Sequence, residues 1–217
     1  MSVNALADDR SRPTTRSLLR CGVFVGVLYL AVGVIQGLVR DGFDFRRHAL
    51  SHLANGPGGW VQTANLAVSG LLVIGAAIGI ARVLQSRAAG WLIGLFGAGM
   101  IIASIFPTDP VDGFPPGTPL GVPTTLSTSA VIHLASGAIG FLTLAAACFV
   151  ATRAMSRRKQ PSMARLSFAC GLAVLVGFFA PVAIPDAGSA GIAGIWFAVV
   201  VGWTWLAVMS TQLMRTA

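Results

Sequence analysis

The stretch RCGVFVGVLYLAVGVIQGLVR, residues 20–40, decides the fold. Between its two arginines lie nineteen residues without a charge. At about 1.5 Å per residue, a helix of that length crosses a hydrocarbon core of about 30 Å. A signal peptide would have an apolar core of only about 7–15 residues and a small-residue cleavage site. This run is longer, and the polar segment after it lacks an A-x-A pattern, so it is read as a retained first span. Laid out at about 100° per residue, Gly22, Gly26, Tyr29, Gly33 and Gly37 share one face, with Gln36 near it. The pairs Gly22/Gly26 and Gly33/Gly37 have the GxxxG spacing that lets a neighbouring helix approach closely in lipid. That face is expected to point into the bundle.

Working outward, five more apolar runs follow at 60–83, 88–106, 130–152, 166–185 and 191–214. Pro181 should kink the fifth, and Trp196, Trp203 and Trp205 mark the sixth. Residues 1–17 are polar and read as a mobile tail, leaving 18–217 as one transmembrane domain. The expected fold is an all-α integral membrane protein, a six-transmembrane-helix bundle. Composition agrees: 55% of residues are hydrophobic and 10% charged, where a soluble domain carries about 25% charged residues. The net charge of +8 sits beside the apolar runs, which points to topology and anionic lipid rather than nucleic acid. Cys21, Cys148 and Cys170 fall inside apolar runs and read as small buried hydrophobes.

The basic residues give the orientation. Twelve of the fifteen lie at one set of helix ends: Arg10 to Arg20, Arg82 and Arg87, Arg153 to Arg165, and Arg215. Only Arg40, Arg46 and Arg47 lie at the other. The positive-inside rule then puts both termini in the cytoplasm and the loops 40–59 and 107–129 outside, along with a tight turn around Asp186. All three histidines and five of the seven aspartates are expected at that outer face.

The outer stretch DGFDFRRHALSHLANGPGGW, residues 41–60, is the part hydrophobicity does not explain. His48 and His52 are four apart, on one side if the segment is helical. His133 enters from the fourth span and Asp109 follows the third. His48, Asp109 and His133 form a candidate metal set, with zinc the fitting ion. Ser51, Asp109 and His133 are the candidates for nucleophilic or acid–base chemistry, although nothing like GxSxG surrounds Ser51. Arg46, Arg47, Trp60 and Asn65 are candidate ligand contacts. The structural alternative is that these groups cap helices and tie the outer loops together. Haem is set aside, because transmembrane electron transfer wants histidines at both faces. GPGG at 56–59 lacks the Lys-Ser/Thr of a phosphate loop.

The sequence RRHALSHLANGPGGWVQTANL, residues 46–66, resembles the signature of the membrane proteins called domain of unknown function 998. The resemblance rests on Arg47, His48, Ser51, Leu53, Ala54, Gly56, Gly59, Trp60 and Gln62. TDPVDGFPPGTP, residues 108–119, is similar to the proline-rich outer loop of the actinobacterial branch. His133 matches a histidine early in the fourth span, whereas His52 falls where a small or polar residue is expected. The resemblance covers about residues 20–210. It implies six spans in a bacterial inner membrane and no established activity.

Function is read accordingly. The leading expectation is an accessory protein that binds a lipid or small amphiphile at its outer face. The first alternative is a metal-dependent lipid hydrolase using His48, Asp109 and His133; the second is a small transporter, which the lack of midplane charge argues against. Whether the protein is an enzyme stays open. Membrane lipids are the expected partners, and the glycine faces allow a homo-oligomer or membrane complex.

Overall fold

In a computed structural model, which describes residues 3–180 and 188–216, the described residues form six α-helices and two structured loops. They are α1 (Val3–Val39), α2 (Gly59–Leu84), α3 (Arg87–Ile105), α4 (Thr128–Arg157), α5 (Pro161–Phe179) and α6 (Gly188–Met214). Each contains a stretch long and apolar enough to cross a membrane, with mean hydropathy between 1.7 and 2.3. Phe24, Leu71, Trp91 and Phe168 are among the large side chains exposed on them, as a lipid-facing surface requires. The protein is an all-α, six-span membrane bundle.

The helix ends differ from the sequence expectation in instructive ways. α1 begins at Val3, so the polar segment expected to be a mobile tail is helical from there on, across Pro13. α4 continues past residue 152 to Arg157, which sets basic side chains at its negative C-terminal end. α5 starts at Pro161, where a proline in the first turn removes no helix hydrogen bond. It ends at Phe179; the expected kink at Pro181 and turn at Asp186 lie outside the described residues.

Helices pack in chain order, each on the next, and α6 returns to α1 to close a ring. The glycine face of α1 makes this closure. A Cβ at Gly26 would lie 2.7 Å from the Trp203 Cβ of α6, and one at Gly33 would lie 2.7 Å from Leu50. That face is therefore consumed within the chain. Across the ring interior, the Trp203 ring stands 5.3 Å from Tyr29 and 5.6 Å from Phe96, tying α6 to α1 and α3.

The described connectors alternate between the two ends of the ring. At one end, Ser86 caps α3 by accepting the Ala89 N–H at 3.2 Å, and Arg158 donates to the Val83 carbonyl left open by the end of α2. At the other end lie the loops 40–58 and 106–127, which carry the polar residues discussed next.

Candidate functional site

The first loop is held from beneath by Arg40, at the end of α1. Its guanidinium donates to the Leu53 carbonyl at 3.0 Å and the Asn55 carbonyl at 2.6 Å, and it stacks over the Phe114 ring at 5.0 Å. A short 3-10 turn, Leu50–Ala54, buries Leu50 and Leu53 and sets the loop across the mouth of the bundle. Ahead of that turn the backbone at Ala49 is extended. His48 and His52 therefore do not share a helical face, as a continuous helix would have required.

His48 is fully buried. The Asp44 N–H donates to its Nδ1 at 2.9 Å. Because that nitrogen accepts, Nε2 carries the proton and donates to the Asp112 carbonyl at 3.2 Å. The ring also packs at 5.3 Å from Phe43 and 5.5 Å from Phe114. His48 is thus a bolt between the two loops, with both nitrogens committed to backbone. Outside it, Arg47 makes a two-pronged contact with Asp112, through Nε at 2.6 Å and through its terminal nitrogen. Asp112 also accepts the Gly121 N–H at 2.8 Å. The Arg47 bond and the Gly121 N–H hold the Asp112 carboxyl well below the usual carboxylate range.

Asp109 serves the second loop. Its two oxygens accept from the Ser127 N–H at 2.8 Å and the Ser127 hydroxyl at 2.5 Å; these bonds lower its pKa. Ser127 in turn caps α4 by accepting the Ala130 N–H at 3.1 Å. So Asp109 orients a helix cap rather than a histidine.

Inside the ring, below the 3-10 turn, lies a cavity of about 180 Å³. Its wall is aromatic and aliphatic: Tyr29, Phe96, Met100, Phe141, Leu144 and Trp203 among others. Its polar lining comes from Ser51, His52, Thr108, His133 and Ser136. Among the described residues no Asp, Glu, Lys or Arg lines it. His133 is anchored by Nδ1, which faces the Phe106 carbonyl at 2.8 Å and the Ala103 carbonyl at 3.2 Å. His52 is anchored by the Ala49 N–H, which reaches its Nδ1 at 3.0 Å. Burial pushes the His52 pKa down to about 4, aided by the nearby His48 and His133, so the ring is neutral at physiological pH.

The structure thus redistributes the sequence-predicted residues. Ser51 and His133 do share the cavity, whereas His48 and Asp109 do not line it. Among the described residues no group of three or more His, Cys, Asp or Glu side chains is arranged to hold a metal ion. The proposed zinc set of His48, Asp109 and His133 is taken apart by the backbone bonds of His48 and the Ser127 bonds of Asp109. None of Arg46, Arg47, Trp60 and Asn65 lines the cavity either. Trp60 is 74% exposed. Asn65 is buried and donates to the Tyr29 carbonyl at 3.1 Å, and the Arg46 N–H closes a turn on Asp44 at 2.8 Å. His52, set aside on the sequence, is the histidine that reaches the cavity. Its signal was the extended Ala49 before it, which no helical spacing rule detects.

Six apolar helices in a closed ring, with their polar loops gathered at one end, define a multi-pass membrane protein. Within that class, the chain belongs to the family described as Protein of unknown function (DUF998), whose model matches residues 23–212. No curated protein and no solved structure matches the chain.

Proposed function

We propose that the protein is a binding protein for a small amphiphile, seated in the bacterial inner membrane with both termini cytoplasmic and its cavity toward the outer face. The orientation rests on the basic residues, which crowd the end opposite the loops 40–58 and 106–127. The observation that carries the binding role is the cavity itself: an aromatic wall with a few convergent polar groups at its edge is the usual make-up of a small-molecule site. Tying the two loops together through His48 and Arg47 keeps the roof pre-formed, which lowers the ordering cost of binding. A metal-dependent hydrolase is supported less, because the carboxylate and second histidine it needs are engaged elsewhere. Ion-coupled transport is supported less, because the described lining holds no charged side chain.

Gly137 supplies the test. It lines the cavity, and a Cβ there meets nothing within 4 Å, so Gly137→Phe fills space without a backbone clash. Native mass spectrometry from nanodiscs is expected to show a retained small molecule on the wild type and none on Gly137→Phe. Equal adduct patterns on both proteins would overturn the assignment.

A further inference from the structure

The cavity histidines also specify what kind of head group fits, an inference that rests on the amphiphile-binding reading above. The two rings are held as opposite tautomers. At His52, the Ala49 carbonyl oxygen also lies 3.2 Å from Nδ1, but it already accepts the His52 backbone N–H at 3.0 Å. The Ala49 N–H points at Nδ1 at 3.0 Å, and a backbone N–H always brings a hydrogen. Nδ1 must therefore present its lone pair, which leaves the proton on Nε2. At His133 the situation is reversed. Nδ1 faces two carbonyl oxygens, which can only accept. The proton of the neutral ring therefore sits on Nδ1, and Nε2 keeps the lone pair.

Neither Nε2 has a hydrogen-bond partner among the described residues, and neither is among the sealed, unpaired atoms of the interior. Both stay accessible in rings that line the same cavity. The two rings thus offer one donor and one acceptor beside the Ser51, Thr108 and Ser136 hydroxyls, with no charged side chain among the described lining residues to meet an ion. A carboxylate or phosphate would leave the His133 lone pair facing an acceptor, and an ammonium would leave the His52 N–H facing a donor. Either ion would also lose its hydration without a counter-ion among the described residues.

We propose that the cavity takes a neutral amphiphile whose head group both donates and accepts a hydrogen bond, an alcohol or a carboxamide, with His52 donating to it and His133 accepting from it. The volume bounds the apolar part. An apolar cavity of about 150 Å³ accommodates benzene, so 180 Å³ admits a body somewhat larger than one aromatic ring. The ligand class is therefore a small alcohol or amide with a compact hydrocarbon body rather than a whole phospholipid.

The test uses the full chain in nanodiscs and three photoreactive diazirine probes that share one short hydrocarbon body. They end in a hydroxyl, a methyl ether or a carboxylate. The alcohol is expected to label peptides carrying Phe96, Met100 and Phe141 about tenfold more than the ether or the carboxylate, the weight of one unmatched buried polar group. His133→Phe should bring alcohol and ether to parity, whereas His133→Gln, which keeps an acceptor, should restore part of the preference; His52→Phe should weaken labelling by both probes and leave their ratio, since either oxygen can accept from His52. Equal labelling by alcohol and ether, unmoved by the histidine variants, would overturn the head-group assignment while leaving an amphiphile cavity. Preferential labelling by the carboxylate would overturn its neutrality. If no probe labels cavity peptides more in the wild type than in Gly137→Phe, the amphiphile-binding reading fails as well.

Discussion

Replacing His48 by phenylalanine should loosen both polar loops at once. Phenylalanine keeps a ring of similar shape between Phe43 and Phe114 but can neither accept from Asp44 nor donate to Asp112. Each backbone group left without a partner in a buried site costs about 1–3 kcal/mol. The Asp112 end is partly exposed and admits water, so the lower half of the summed range applies, about 2–4 kcal/mol. That corresponds to roughly 30- to 1000-fold in the opening equilibrium of the loops, at about 1.4 kcal/mol per tenfold. Hydrogen exchange in nanodiscs reads it directly, since exchange of a transiently opened segment follows that equilibrium. Amides around residues 44–55 and also around 111–121 should accelerate together, although the second group is some sixty residues away in sequence. Acceleration confined to the first loop would refute the role of His48 as the tie between them. So would full protection in the presence of the substitution.

Other perturbations separate strong from weak contacts. Arg47→Ala removes an exposed ion pair that salt screens, so exchange around residues 112–121 should rise by less than about tenfold and the difference should shrink in high salt. His52, with its pKa near 4 in the fold against an ordinary 6.5, binds its proton more readily once the loop opens. Stability is therefore full above about pH 6.5, falls by about 3 kcal/mol between pH 6.5 and 4, and levels off below; His52→Gln should flatten that slope in thermal melts. Gly26→Leu drives a side chain into Trp203 where α1 meets α6, and unfolding in detergent should show a loss of at least about 1–3 kcal/mol. Asp109→Ala should expose the start of α4 to exchange without altering the metal content of the purified protein, because its oxygens serve Ser127.

The membrane fold was legible because length and charge act locally. An uncharged run such as 21–39 can hardly do anything but span, and Gly26 and Gly33 announced a face that other elements approach closely. The site was less legible because it depends on where a loop bends. At helical spacing His48 and His52 look equivalent. The extended Ala49 between them sends one ring to the Asp112 carbonyl and leaves the other at the cavity. Asp109 looked like a metal ligand because nothing in its neighbours reveals that Ser127, eighteen positions on, takes both oxygens. Phe114 passed unnoticed in a proline-rich loop, yet it is fully buried and packs on Phe43, His48 and Arg40. Residue type indicated which groups could do chemistry. Only the loop contacts distinguish the ones holding the roof from those beneath it.

The division of the three histidines into one bolt and a complementary pair can be read from the ring nitrogens themselves. Nitrogen-15 spectra of histidine-labelled protein in nanodiscs distinguish a protonated ring nitrogen from one carrying a lone pair, with His→Gln variants assigning each signal. At neutral pH the account predicts a lone pair on Nδ1 for His48 and His52, and on Nε2 for His133 alone. A lone pair on the same nitrogen in all three rings, or a metal-bound signature at His48, would contradict it.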